Sequence, residues 1–174
     1  LWNSRVNPTA MIAGALYEFP SYFDAVPREE VASQLVAHLQ AHDGAMEMHD
    51  LLCYVDLVEN PAVPETLKAA LLEKLTRVVS VTVERSVEQW LHYSLPPLAI
   101  ISSPQSPFVG QFTRDLPQNF EFMLSGRGED GAWHPNWSWG EGALAKQVAA
   151  EWSGVLTLSN LKKLRAFGMI AGRE

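Results

Sequence analysis

Cysteine is nearly absent from this sequence: Cys53 is the single example among 174 residues. An internal disulfide bond is therefore excluded, and the composition fits a reducing compartment, so we expect a cytoplasmic protein. We recognise no signal peptide, and no apolar run is long enough to cross a membrane. What is left is a chain of ordinary apolar content that is long enough to bury a core.

Runs of basic residues are also missing. The sequence has 13 lysines and arginines against 20 aspartates and glutamates, which gives a formal net charge of −7. Nucleic acids and anionic membranes attract positive surfaces, so this balance argues against both as nonspecific partners. We expect neither a nucleic-acid partner nor a membrane span.

The motifs of several common chemistries are lacking too. Gly126, Gly128 and Gly131 follow an apolar helical segment rather than a strand, so they do not form a phosphate-binding loop. A nucleophile elbow and a Cys-x-x-Cys pair are absent. No two aspartates lie within two residues of each other, which excludes a proton donor built from adjacent carboxylates. The sequence therefore predicts no cofactor and shows no readable catalytic constellation.

What the sequence does contain is a succession of amphipathic segments separated by proline. Val31, Leu35 and Leu39 recur at four-residue spacing, which is typical of one helix face. Residues 79–83 alternate like a strand, but no partner strand is visible, so we predict that they continue a helix. About eight helices and no sheet follow from this pattern. Because short links favour antiparallel neighbours, we expect four stacked hairpins.

Local signals place two helix starts. Asn7 followed by Pro8 predicts an N-cap at Asn7. The side chain of asparagine can accept a hydrogen bond from a backbone N–H of the first turn, and proline, which has no backbone N–H, loses no hydrogen bond at that position. Ser86 with Gln89 has the form of a capping box, which predicts a helix start of its own.

Two further helices are predicted near the carboxyl end. The first carries an apolar face formed by Leu144, Val148 and Trp152. The second carries an apolar stripe within residues 158–167, on the side opposite Lys163 and its basic neighbours. Both apolar sets are expected in the core, so Trp152→Ala is expected to cost about 3–5 kcal/mol of stability.

The densest aromatic stretch is the tryptophan loop, which we define as residues 126–142. Asp130-Gly131 is a strong turn signal, because glycine takes positive φ without steric cost and aspartate can bond the backbone that follows. Trp133, Trp137 and Trp139 come soon after it, and each indole can bury on the order of 200 Å². They either staple the loop over helix ends or line a cavity. In the second case they are the ligand-binding residues, stacking on a sugar ring or forming an aromatic wall around a prenyl chain.

These residues resemble a known repeat. Phe120 and Phe122, followed by Asp130-Gly131-x-Trp133, resemble the prenyltransferase and squalene oxidase repeat of the terpenoid cyclase and protein prenyltransferase superfamily. In that repeat an aromatic helix runs into a Gln-x-x-Asp-Gly-x-Trp turn, whose glutamine and tryptophan tie adjacent helices together. The longer tryptophan-rich run is similar to uncharacterised bacterial members of the superfamily.

The resemblance implies an all-α fold in which antiparallel helical hairpins form an incomplete α/α toroid, an arc of about four helix pairs. Arg127 stands where the repeat has its glutamine. Residues 1–174 would be a single domain and the C-terminal part of a longer protein, because the chain begins at Leu1 and a closed toroid has more hairpins. A missing N-terminal segment or a second copy in a homo-oligomer would complete the ring.

One helix face carries a possible metal site. His49, Cys53 and Asp56 follow each other at i, i+4 and i+7, and a His/Cys pair at this spacing can bind zinc. Asp56, however, lies about 10 Å along the helix axis from His49, which is too far for a shared tetrahedral ion. The superfamily's zinc site has an aspartate two residues before the cysteine, where this sequence has Leu51. We therefore expect no metal, a buried Cys53, and a hydrogen bond from His49 to a neighbour.

Three residues around the tryptophan loop are candidates for catalysis. Helical α/α-barrel glycosidases and lyases use carboxylates that are distant in sequence, with tryptophans as sugar platforms. Asp130, His134 and Glu141 could act as acid, base or orienting groups in such a site. Each also has a structural explanation: Asp130 forms the turn, Glu141 places negative charge at a helix start, and His134 lies on the surface.

Taken together, these features predict a noncatalytic scaffold or binding module with an aromatic-lined concave face. Its expected partner is a hydrophobic or sugar-like small molecule. Two alternatives stay open. One is a relative of terpenoid cyclases or prenyltransferases whose acidic motif lies in a missing N-terminal part, and the other is a carbohydrate-active α/α-barrel enzyme.

Overall fold

The computed structural model describes residues 6–170, and all regular secondary structure in this range is helical. The described residues contain nine α-helices and no strand, apart from one isolated antiparallel bridge between Arg127 and Trp133. The prediction of an all-α protein is therefore confirmed. No helix in residues 6–170 is long and apolar enough to span a membrane.

The chain divides into two compact units, Leu1–Val83 and Glu84–Glu174, and we describe each by itself. The helices of the first unit are α1 (Val6–Glu18), α2 (Arg28–Ala41), α3 (Met48–Glu59) and α4 (Glu65–Thr82), with a 3₁₀ turn at Pro20–Tyr22. The helices of the second unit are α5 (Val87–Trp90), α6 (Pro97–Ile100), α7 (Val109–Phe112), α8 (Leu116–Ser125) and α9 (Ala143–Ala166).

The first unit is a four-helix arrangement in which each helix packs against two others: α1 against α2 and α3, and α4 against α2 and α3. Its core is aliphatic, and Leu71 and Leu75 of α4 are fully buried. Tyr54 of α3 is also fully buried, and its hydroxyl donates a 2.9 Å hydrogen bond to the backbone oxygen of Leu35 in α2. The predicted periodicity of Leu35 and Leu39 therefore corresponds to the buried face of α2.

Residues 79–82 are helical, as predicted, although they alternate like a strand. Val78 and Val79 are both buried on α4, so the helix gains apolar burial that a lone strand could not match. The helix ends at Thr82, so Val83, whose backbone is extended, is the one residue of the predicted segment 79–83 that lies outside it.

Asn7 does not cap α1, which corrects the prediction for this helix start. Asn7 and Pro8 both have non-helical backbone angles within the helix that begins at Val6. The backbone N–H of Asn7 donates to Asp50 Oδ1 at 2.9 Å, and its side-chain oxygen accepts from the Cys53 thiol at 3.7 Å. The polar groups of Asn7 are thus used to hold the chain against α3.

The second unit begins with three helices of only four residues each, α5 to α7. Ser86 does not form the predicted capping box, because its side chain makes no capping bond and its hydroxyl donates to Glu88 instead. Trp90 anchors α5: its side chain is buried, and its indole N–H donates to the backbone oxygen of Glu84 at 2.8 Å. Asn119 of α8 is buried and satisfies the backbone N–H of Leu98 at 2.7 Å, which fixes α6 on α8.

The carboxyl end is one helix of 24 residues, α9, where two helices were predicted. No proline lies between Gly142 and Gly168, so no residue forces a break, and an isolated glycine inside a helix is tolerated. The prediction that Leu144 and Trp152 belong to the core is wrong, since both are exposed and Trp152 retains 41% of its accessible surface. Of the second predicted stripe only Leu164 is buried.

Candidate functional site

The Asp130-Gly131 turn has the geometry that the sequence predicts. Gly131 has φ +83°, and Asp130 Oδ1 accepts the backbone N–H of Ala132 at 3.1 Å. Two backbone bonds close the turn around Gly128: its N–H donates to the Ala132 oxygen, and its oxygen accepts from the Gly131 N–H. A Cβ at Gly128 would lie 2.8 Å from Asp130 Oδ1, so the turn is built for glycine at this position.

Trp133 ties the loop to two helices. Its side chain is buried, with 6% of its surface exposed, and its indole N–H donates to the Met123 backbone oxygen of α8 at 2.6 Å. Its backbone N–H donates to Thr157 Oγ1 of α9 at 3.0 Å. One residue thus satisfies a backbone oxygen near the end of α8 and fixes the loop on α9. Trp133 is a structural anchor rather than an exposed stacking surface.

Arg127 supports the turn from the position where the resembled repeat has its glutamine. Its Nε donates to the Gly131 backbone oxygen at 2.9 Å. Its guanidinium carbon lies 5.9 Å from the centroid of the Trp133 ring, within the range of a cation–π contact. Arg127 therefore connects the two: its Nε–H bonds to the turn, and its guanidinium contacts the ring of Trp133.

Asp130, His134 and Ser153 form a chain of hydrogen bonds. His134 Nε2 lies 3.2 Å from Asp130 Oδ1, and His134 Nδ1 lies 2.9 Å from Ser153 Oγ. The Ala132 N–H and then His134 lower the pKa of the exposed Asp130 carboxyl below its usual value. Ser153 is buried on α9, and its hydroxyl also donates to the Ala149 oxygen at 2.8 Å. A buried hydroxyl that is held by its own helix is not an activated nucleophile, so this chain fastens the turn to α9.

The remaining tryptophans of the loop form an aromatic cluster with α9. Trp137 is half-buried and makes edge contacts with Tyr93, Trp139 and Trp152 at centroid distances of 5.6–5.8 Å. Trp139 and Trp152 stack at 6.0 Å with an interplanar angle of 24°. Trp139 keeps 45% of its surface exposed. The cluster therefore presents indole rings to solvent, whereas Trp133 does not.

Beside this cluster lies the Lys163 pocket, a cavity of about 400 Å³ within the second unit. Aromatic rings form much of its wall: Trp90 and Phe122 meet edge to face at 5.5 Å, and Trp137 closes another side. The polar lining includes the side chains of Asn160 and Lys163, one turn apart on α9. Desolvation lowers the pKa of Lys163 from 10.5 to about 8.

A second groove of about 780 Å³ is lined by Asp130, His134 and Trp137 of the loop together with residues of α9. Asp130 is the only carboxylate among its described lining residues. Glu141, the other predicted acidic candidate, is exposed and has no hydrogen bond to Asp130 or His134. The pair of carboxylates that glycoside hydrolysis requires is therefore not assembled by the described residues of this groove.

The predicted metal candidates lie in the first unit. His49 Nδ1 is 2.7 Å from Glu47 Oε1, so the expected hydrogen bond to a neighbour is present. Cys53 is buried, as expected, and burial with the nearby charge of Asp56 raises the pKa of its thiol. Among residues 6–170 no group of three or more potential ligands is arranged to hold a metal ion.

Lys163 was missed as a site residue because the sequence places it with Lys162 and Arg165 on a polar helix face. In the structure the three basic residues of α9 do not share the same surroundings. Lys162 and Arg165 are exposed, whereas Lys163 lines the pocket. The pocket wall opposite α9 comes from residues 90–99, which are distant in sequence. The spacing of Leu156, Asn160 and Lys163 on one side of α9 is the signal that could have found it.

Comparisons with known proteins give no further assignment: no family model, no curated protein and no solved structure matches this chain.

Proposed function

We propose that the protein is a noncatalytic binding module that takes a small, largely apolar, ring-bearing molecule into the Lys163 pocket. The observation that carries this proposal is the aromatic wall of that pocket, in which Trp90, Phe122 and Trp137 surround a cavity of about 400 Å³. Cavities of roughly 300–1,000 Å³ with aromatic walls and a few polar groups are typical of small-molecule sites. Trp133 also lines the pocket and is held in place by its bond to the Met123 oxygen.

Binding of a neutral aromatic probe tests this function. Naphthalene-1-acetamide should bind with a negative heat-capacity change, because its ring removes apolar surface from water. Isothermal titration calorimetry at several temperatures measures both the affinity and this change. Leu156→Trp, which fills the pocket from α9, should abolish binding. The matched control is Leu144→Trp, on the exposed face of the same helix, which should bind as the wild type does.

The absence of any probe binding to the wild-type protein, or equal binding by the two tryptophan variants, would overturn the proposed function. Far-ultraviolet circular dichroism of both variants shows whether they are folded. If Leu156→Trp fails to fold, Ala99→Leu fills the same pocket from α6 with a smaller change and is used in its place.

We also propose that the helices are arranged as an arc of antiparallel hairpins, as the resemblance to α/α toroids implies. The support is local: Trp133 connects α8 and α9, which is the task of the tryptophan in the resembled repeat. Small-angle X-ray scattering tests the arrangement. A compact chain of this length has a radius of gyration of about 16 Å, and an arc should give a larger value. That the 174 residues form a single domain stays a prediction.

A further inference from the structure

The Lys163 pocket differs in charge from the rest of the protein. The chain carries a formal charge of −7, yet the described lining of this pocket contains no aspartate and no glutamate. The same lining contains one lysine and two histidines, His92 and His134. The described lining of this pocket is therefore positively charged although the protein is acidic, which favours a ligand of negative charge.

Most of its polar side chains are hydrogen-bonded within the protein, but some are donors without acceptors. In the part of the chain that the structure describes, the Lys163 ammonium has no hydrogen bond and no ion pair, and its side chain is half-buried beside the pocket. The Asn160 amide and the Trp137 indole N–H likewise have no partner among the described residues. The other two indoles of the pocket differ, because Trp90 and Trp133 donate to backbone oxygens.

An ammonium that is partly desolvated and has no acceptor within the protein favours a ligand that supplies one. Burial lowers the pKa of Lys163 only to about 8, so the side chain is mostly charged at pH 7. A carboxylate would supply the missing acceptor through a charge-assisted hydrogen bond. A phosphate dianion fits less well than a carboxylate. It would place two negative charges against one lysine, and the described lining contains no arginine for a bidentate contact.

We propose that the Lys163 pocket selects a small monocarboxylate, with the carboxylate paired to Lys163 and Asn160 and the apolar ring of the ligand against Trp90, Phe122 and Trp137. This inference rests on the proposed binding function and names the class of its ligand. The two donors of α9 recognise the carboxylate of the ligand, whereas the aromatic wall buries its apolar ring.

A matched pair of probes tests the inference by calorimetry at pH 7. Naphthalene-1-acetate carries the carboxylate, and naphthalene-1-acetamide has the same ring without the charge. The acetate should bind at least tenfold tighter, since a hydrogen bond to a charged group contributes about 1.5–3 kcal/mol. Lys163→Met should remove that preference, so that the variant binds the acetate and the acetamide with about equal affinity. Lys146→Met is the control, because Lys146 is exposed on the same helix outside the pocket.

The pH dependence gives a readout that a merely structural lysine would not produce. Acetate affinity should fall as the pH is raised above about 8, where free Lys163 loses its proton, while acetamide affinity stays constant. Urea denaturation of Lys163→Met checks that a loss of acetate binding in this variant does not come from unfolding.

The outcomes separate the two proposals. If acetamide binds and acetate binds no tighter, or if Lys163→Met keeps the preference for acetate, the carboxylate inference is overturned and the binding function stands. If neither probe binds, the binding function fails as well. Binding of acetate that depends on Lys163 and on pH supports the inference.

A second observation concerns the outer face of α9. Val155 and Leu158 both keep 56% of their surface exposed, and Leu144 is exposed on the same side. Glu151 and Lys162, also exposed, lie on this face as well. Along the helix, each of these two charges lies about 8 Å from the midpoint between Val155 and Leu158, on opposite sides of it.

This spacing is self-complementary. When two such helices pack antiparallel about a two-fold axis at that midpoint, Glu151 of each copy faces Lys162 of the other, and Val155 and Leu158 meet at the centre. The arrangement joins two opposite-charge pairs and covers the exposed aliphatic side chains. We infer that the outer face of α9 is the interface with a second copy of this chain.

Charge reversal tests this interface. Glu151→Lys and Lys162→Glu should each weaken self-association at least tenfold, measured by size-exclusion chromatography with light scattering over a range of concentrations. The double variant should restore it, because the pairs form again with exchanged signs. Lys146→Glu is the control, as Lys146 lies outside this face. A wild-type protein that stays monomeric at all concentrations, or a double variant that associates no better than the single ones, overturns the inference.

Discussion

Replacing the buried indole of Trp133 by a phenyl ring is the sharpest test of how the second unit is held together. Trp133→Phe keeps an aromatic ring but removes the N–H that satisfies the Met123 oxygen. An unsatisfied buried acceptor costs about 1–3 kcal/mol, and the smaller ring loses about 1 kcal/mol of apolar burial. We therefore expect a loss of about 2–4 kcal/mol in the free energy of unfolding.

Trp139→Phe is the matched control for this prediction. It makes the same chemical change at a ring that is 45% exposed and has no indole hydrogen bond among the described residues, so the loss should stay below about 0.5 kcal/mol. Urea denaturation followed by tryptophan fluorescence suits both variants, because five of the six tryptophans lie beyond Glu84. With a slope of about 2 kcal/mol per molar urea, the midpoint of Trp133→Phe should fall by about 1–2 M. Equal shifts in the two variants would refute the anchoring role of Trp133.

Three further predictions concern the turn and the first unit. Gly131→Ala should cost about 1–3 kcal/mol of stability, because the residue has φ +83° and its Cβ would lie 2.8 Å from the Arg127 guanidinium. Gly154→Ala, in open space on α9, should instead stabilise the protein by up to about 1 kcal/mol. Thermal melts of the two variants check this. Tyr54→Phe should cost about 1 kcal/mol, since it removes the buried hydrogen bond between α3 and the Leu35 oxygen of α2. A urea midpoint equal to the wild type's would contradict this. Because the pKa of Asp130 is lowered in the folded protein, its charged carboxylate stabilises the fold above about pH 4, and this stabilisation is lost as the pH falls through the folded-state pKa. The difference in stability between the wild type and Asp130→Asn should therefore disappear in acid.

The fold class and the turn could be predicted from sequence because they depend on local signals. Leu35 and Leu39 repeat at helical spacing and are buried on α2. Asp130 and Gly131 form the expected turn because aspartate bonds the next backbone N–H and glycine accepts positive φ. Both signals lie within a few residues of the structure that they specify.

The pocket and the face of α9 could not be predicted because they depend on distant residues. The spacing of Leu144, Val155 and Leu158 indicates a helix face, but spacing alone does not say whether that face is covered. Lys163 has the sequence character of a surface residue, and only the fold brings it beside residues 90–99. The burial of Trp133 and the exposure of Trp139 likewise depend on tertiary contacts: Trp133 is held by α8, whereas Trp139 stacks on Trp152 of α9.

The stacked rings of Trp139 and Trp152 have an optical consequence. Two indoles with centroids 6.0 Å apart and planes inclined by 24° couple electronically, so we expect a splitting of their absorption bands, to which Trp137, 5.8 Å from each ring, also contributes. That splitting appears in circular dichroism as two neighbouring signals of opposite sign, and it vanishes when the rings separate. The protein therefore contains an intrinsic, label-free reporter of whether residues 126–142 lie closed on the last helix.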